Sequence, residues 1–252
     1  MGGAPSATAV TTAFARRLAQ LVPLSGEEAA VLGELQSVTR SVQRHRDIIT
    51  EGRHYGSIFI VLEGNGIRYR ILHDGRRQIV NIVLPGDVVG VLGHVIESSL
   101  YSTKALTEML VATIPFPRVN ALYETHPRLL AKIFWWLSCE TAIYAEHLVD
   151  LGRRTALERV AHFLLELLAR LQSVGLAADQ SYKIPLTQEL IADALGLSIP
   201  HVNRVLRRLR EDQLVVVEDQ RVTVKDLDGL SELADFEPSY LTRFAGGELL
   251  AG

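Results

Sequence analysis

Between His201 and Arg210 the sequence HVNRVLRRLR interleaves hydrogen-bond donors with hydrocarbon. At helical spacing Val202, Val205, Leu206 and Leu209 fall on one side, which leaves His201, Asn203, Arg204, Arg207, Arg208 and Arg210 mostly on the other. A basic face of this kind recognises anions. In the DNA major groove an arginine bonds guanine bidentately and an asparagine bonds adenine, while other donors reach phosphate oxygens. An ordinary helix with a solvated charged face shares the pattern, so the flanking segments decide between the two.

Thr187 is placed to cap a short helix in which Leu190, Ile191, Ala194 and Leu195 recur at helical spacing. Gly196 supplies the left-handed backbone that ends it; Ser198 then caps a second helix, with Pro200 tolerated in its first turn. After Gln213 the run LVVVEDQRVTV predicts a hairpin around Glu218 to Arg221. Helix, turn, helix, hairpin is a winged helix-turn-helix. On these residues, LTQELIADALGLSIPHVNRVLRRL resembles the DNA-binding signature of the Crp/Fnr superfamily of bacterial transcription regulators.

The composition accommodates that reading. A chain of 252 residues with 48% hydrophobic and 22% charged residues is long enough for two cores and reads as globular. No apolar run spans a bilayer and the N-terminus lacks a signal-peptide pattern, so a cytoplasmic location and no membrane partner are expected. The formal net charge of −3 conceals the local basic face. The single Cys139 excludes an internal disulfide and a cysteine-ligated iron-sulfur cluster within one chain. It reads as a small buried hydrophobe, with a redox sensor as the alternative.

Upstream, helical spacing predicts packing helices over Ala13 to Val22 and Gly26 to Leu35, the second capped by Ser25. From Ser37 to about Phe116 short β-rich runs alternate with hairpin turns at Glu63 to Gly66, His73 to Gly75 and Pro85 to Asp87, which fits an antiparallel barrel or jelly roll. A short helix and then a long one follow, the latter opened by His126-Pro127. Its Leu130, Ile133, Phe134, Leu137, Thr141, Tyr144, Leu148 and Leu151 keep an approximate three-four spacing, which calls for a partner helix. Trp135-Trp136 reads as packing, with ligand stacking as the alternative. Gly152-Arg153-Arg154 interrupts the pattern, and Thr155 to Glu158 is a capping box opening the next helix. SVGLAADQSYK reads as a polar connector, DLDGLSELADF as a last short helix and the rest as a loose tail. The expected class is α+β, with N-terminal helices (1–36), a β-roll (37–118), a long-helix region (119–152), a winged helix-turn-helix (153–235) and a tail (236–252).

The resemblance extends to the roll, which is similar to the superfamily's cyclic-nucleotide-binding domain through YGSIFIVLEGNGIRY, GRRQIVNIVLPGDVVG and Gly52, Gly64, Gly86 and Gly90. It departs where the ligand would sit. Val91 stands where nucleotide-binding members carry a ribose-binding Glu, and Tyr101-Ser102 where they carry an Arg-Ser or Arg-Thr pair for the phosphate, with Lys104 as the nearby substitute. The implied effector pocket of Val91, His94, Tyr101, Ser102, Lys104 and Tyr144 is therefore not expected to take cAMP or cGMP. No metal or cofactor is expected; haem on His73 or His94 is the alternative, as is another small-molecule effector.

By the same resemblance the long helix pairs two chains through Ile133, Phe134, Leu137, Thr141, Tyr144 and Leu148, setting two reading helices about one DNA turn apart on a pseudo-palindrome. Leu151, Gly152, Arg153, Arg154 and Thr155 form the implied hinge. Pro200, Asn203 and Arg204 match the family's base-reading positions, with His201 beside them; Thr187, Ser198, Arg207 and Arg208 are candidate phosphate contacts. The expected partners are double-stranded DNA, a second copy of the chain and, for an activator, RNA polymerase. A cupin-like metalloenzyme is the rival class, but the barrel holds no H-x-H and no recognisable catalytic triad or carboxylate pair, so no enzyme is expected.

Overall fold

The computed structural model describes residues 12–94 and 96–241. Two short helices lead, α1 (Ala13–Leu21) and α2 (Gly26–Leu35). The Ser25 hydroxyl accepts from the Glu28 N–H while the Glu28 carboxylate takes the Ser25 N–H, a reciprocal cap that fixes where α2 begins.

Eight strands follow: β1 (Thr39–Val42), β2 (Asp47–Ile49), β3 (Ser57–Glu63), β4 (Gly66–Ile71), β5 (Arg77–Val83), β6 (Val88–Val89), β7 (Ser102–Ala105) and β8 (Met109–Pro115). They form two antiparallel sheets of order β1-β8-β3-β6 and β2-β7-β4-β5. Alternation along β3 explains how the roll is covered. Phe59 and Val61 join Val42, Ile49, Val83 and Val111 between the sheets, while Ile58 and Ile60 face outward onto Phe14, Leu18 and Trp136. On the second sheet Ile67, Tyr69, Ile79 and Ile82 face outward into a cluster shared with the C-terminal helices.

Beyond the roll come α3 (Phe116–Thr125), α4 (Pro127–Gly152), α5 (Ala156–Ser173), β9 (Ser181–Lys183), α6 (Gln188–Leu195), α7 (Ile199–Glu211), β10 (Val215–Glu218), β11 (Arg221–Val224) and α8 (Leu227–Ala234). The polar connector differs from expectation. It contains β9, which pairs with β11 and makes the wing a three-stranded sheet of order β10-β11-β9. A run of three residues is too short to show period-two patterning, so pairing alone defines it. The expected loose tail also begins as a 3-10 turn, Pro238–Leu241, with Tyr240 stacked on His162 at 6.5 Å; residues 242–252 lie outside the described residues. No helix among the described residues is long and apolar enough to cross a membrane.

Candidate nucleic-acid interface and sensor cavity

The helix pair is built as its residues dictate. The Thr187 hydroxyl accepts from the Leu190 N–H at 3.2 Å and starts α6. Gly196 stops it at φ +64, a left-handed conformation that side chains resist, and the turn leads directly into α7. Ser198 departs from the expected cap: its hydroxyl makes no cap bond. Pro200 at the second helical position has no N–H to offer, and the Ser198 carbonyl already takes the His201 N–H at 2.9 Å. The exposed hydroxyl therefore caps nothing in α7.

Val202, Val205 and Leu209 are buried, whereas Pro200, Asn203, Arg204, Arg207, Arg208 and Arg210 are exposed and His201 is half-buried. Two of the polar groups are already engaged. The Asn203 amide donates to the Gln188 side chain at 3.3 Å, and Arg208 pairs with Asp212 one turn on at 2.6 Å. Arg204 and Arg207 form no ion pair among the described residues.

The helix-turn-helix is wired to the helix junction. At the junction α4 ends at Gly152, and the Arg154 guanidinium folds back onto Glu146 at 3.0 Å and Asp150 at 2.9 Å. Arg159 donates to the Leu195 carbonyl at 2.6 Å and to the Arg154 carbonyl at 3.1 Å, joining the helix-turn-helix corner to residues 153–155. Leu151 packs 3.5 Å from where a Cβ on Gly196 would stand. From the roll, Arg77 pairs with Asp193 on α6 at 2.6 Å. A charge network runs beneath. Glu140 bonds Arg17 at 2.9 Å, Arg17 also pairs with Asp87, Asp87 takes Arg170 at 2.8 Å, Arg170 takes Glu166 at 2.9 Å, and Glu166 meets His147 at 2.7 Å. Burial opposes the Glu166 charge, yet His147 and Arg170 override it and hold the carboxyl at about 2; Glu166 in turn raises His147 against its own desolvation.

Between the roll and α4 lies a cavity of about 480 Å³, in the size range of small-molecule sites. A crevice at the β5, α4, α5 and α6 junction holds only about 20 Å³, room for a water. Val91, Tyr101 and Tyr144 line the larger cavity; Ser102 and Lys104 do not. Strand alternation is the reason. Thr103 of β7 faces the cavity, so its neighbours turn away: Ser102 accepts from the Glu51 N–H, and Lys104 lies over the Tyr69 ring at 5.3 Å. The cation that does line it is Arg68, which the sequence reading missed. Arg68 sits directly across from Thr103 in the β4-β7 register, and only strand pairing reveals that. His73 is exposed in the β4-β5 turn, away from the cavity lining, and the His94 side chain lies outside the described residues.

Along α4 the residues Phe134, Leu137, Thr141, Tyr144 and Leu148 alternate by three and four, and Leu151 continues the row. Phe134 is 66% and Leu148 71% exposed. Ile133, one turn before Leu137, packs partly against its own core, as do Leu137 and Trp135, while Trp136 is buried edge-on to Phe14. Cys139 is buried, and desolvation raises its thiol against the pull of Arg17.

Two family profiles match the chain: a cyclic nucleotide-binding domain over residues 39–126 and a Crp-like helix-turn-helix domain over residues 158–233. The chain is 30% identical over 211 residues to the transcriptional activator protein Anr of Pseudomonas aeruginosa, covering 84% of this chain and 86% of that one. It is 34% identical over 213 residues to the nitrogen fixation regulation protein FixK of Bradyrhizobium diazoefficiens, covering 83% and 88%. The solved structure of FixK2 from Bradyrhizobium japonicum superposes with a TM-score of 0.69 at 27% identity, over 78% of this chain and 96% of that one.

Proposed function

The chain belongs to the Crp/Fnr family of DNA-binding transcription regulators, and from that premise we infer that it acts as a homodimer on a pseudo-palindromic operator, under the control of a roll that does not take cyclic nucleotides. The observation that carries this reading is the outer face of α7, where exposed Asn203, Arg204 and Arg207 stand over a fully packed inner face. Arg204 reads a guanine, with Asn203, His201 and Pro200 shaping the rest of the half-site. The free Ser198 hydroxyl, Thr187 and Arg207 hold phosphates; Arg208, tied to Asp212, contributes less.

The exposed Phe134 and Leu148 support pairing of α4 with its copy, which buries hydrocarbon that the monomer leaves in water. Leu151 to Thr155 is the hinge at which the two heads are set. The apolar Val91 wall supports the absence of cAMP or cGMP binding, since it offers a ribose no acceptor. Selection of bound duplexes from a random pool, with and without cell extract, tests the whole reading: a two-fold symmetric consensus is expected. Arg204→Ala is expected to weaken the consensus complex by about 1–3 kcal/mol and to flatten preference at one base pair per half-site. Wild-type affinity in that variant by gel shift would remove Arg204 from the reading.

A further inference from the structure

The donors and acceptors around the large cavity are out of balance. The Arg68 guanidinium donates to the Tyr144 hydroxyl and to the Val88 carbonyl at 3.1 Å, and it forms no ion pair among the described residues. Trp136, 1% exposed, lines the α4 side of the cavity with its ring. Burial keeps the Tyr144 hydroxyl protonated, against the pull of Arg68, so it too can donate. Acceptors are scarcer. Glu140, the carboxylate in the lining, is already bonded to Arg17 at 2.9 Å. The hydroxyls of Ser99 and Thr141 donate to the carbonyls of Tyr101 and Leu137. The remaining surface is largely hydrocarbon, with Ile49, Val91, Leu92 and Leu137 facing the space.

A half-buried guanidinium without a carboxylate partner is stabilised by an acceptor-rich anion, and hydrocarbon walls favour an apolar body over a sugar. We propose that this cavity binds a small organic carboxylate with an apolar body, its carboxylate held by Arg68 and the Tyr144 hydroxyl and its body packed against Val91, Leu92 and Trp136. The proposal rests on the roll being the sensor of a DNA-binding regulator and names the class of molecule it senses. Tyr144 also belongs to the α4 seam, so a ligand there touches the helix that pairs the subunits.

Isothermal titration of the full chain, without DNA, tests it with matched probes: benzoate, naphthalene-2-carboxylate and decanoate, each against its neutral carboxamide, and cAMP alongside. At least one carboxylate is expected to fill one site per chain and to bind roughly tenfold or more tighter than its amide, with a change in tryptophan fluorescence. Arg68→Gln should bring each pair to within about twofold at unchanged circular dichroism. Tyr144→Phe, which keeps the ring, should shrink the preference and serves where the first variant does not fold. Equal binding of acid and amide, binding of none of the three acids, cAMP binding tighter than all of them, or a preference surviving Arg68→Gln would overturn the proposal. DNA selection with and without cell extract is scored separately: a consensus without carboxylate binding sinks only the ligand class, and absence of a consensus in both arms sinks the regulator reading.

Discussion

Helices α4 and α5 adjoin across three residues and solve opposite problems. In α5, 11 of 18 residues are buried, because the roll, α6, α7 and α8 close on it from several sides. In α4 only seven of 26 are buried, and these follow one stripe, Leu129, Lys132, Trp136, Cys139, Glu140, Ile143 and Asp150. The contrast separates two uses of a long helix. Both helices hold charge where their own chain covers them, α5 through Glu166 and Arg170 and α4 through Lys132, Glu140 and Asp150, because the partners are fixed at hydrogen-bond distance; only α5 is covered on several sides. A helix enclosed on one stripe leaves other hydrocarbon in water, as the exposure of Phe134 and Leu148 shows, and this is the surface proposed to meet a second copy.

The contrast can be broken most forcefully at Arg170. Arg170→Met leaves Glu166 and Asp87 buried without their shared cation, and a loss of about 3–5 kcal/mol is expected, read as a large drop in thermal midpoint. Acid should act on the same network. The Glu166 carboxyl is held near 2 against an ordinary 4.5, so its stabilisation is complete above about 4.5 and is lost as the pH falls towards 2. The shift corresponds to about 3 kcal/mol, shared with His147 and Arg170, and Glu166→Gln should flatten the midpoint-against-pH curve in that window.

On the other helix, Leu148→Asp adds charge to a surface already in water, so the monomer's melting should move by less than about 1 kcal/mol. Sedimentation should nevertheless show monomers, and operator binding should fall by roughly a hundredfold as the two heads come apart. A variant that stays dimeric would deny α4 its role as the seam. The smallest effect is expected at Arg77, partly exposed and paired with Asp193 across the roll and α6. Arg77→Ala should cost under about 1 kcal/mol in stability, while hydrogen exchange at α6 rises because a tether between roll and reading unit is gone.

Much of this architecture is written locally. The Ser25 and Thr155 capping boxes, the Gly196 stop and the inner face of α7 each depend on residues within a turn or two of one another, so spacing alone places them. Strand β9 escaped because three residues carry no period, and the Ser198 cap failed because the His201 N–H that would fill it goes to the Ser198 carbonyl instead. Nearness in sequence to Tyr101 suggests the cavity for Lys104, but strand alternation turns it away.

By itself, then, the sequence determined the order of elements, the helix-turn-helix with its wing and the basic face it carries, since propensity, capping and periodicity act over a few residues. Only the tertiary structure decided that Arg68, through its pairing with Thr103, is the cation in the cavity, and that residues 17, 87, 140, 147, 166 and 170 share one buried network. Strand register and helix docking bring together groups separated by up to 123 positions, and no local rule of spacing reaches that far.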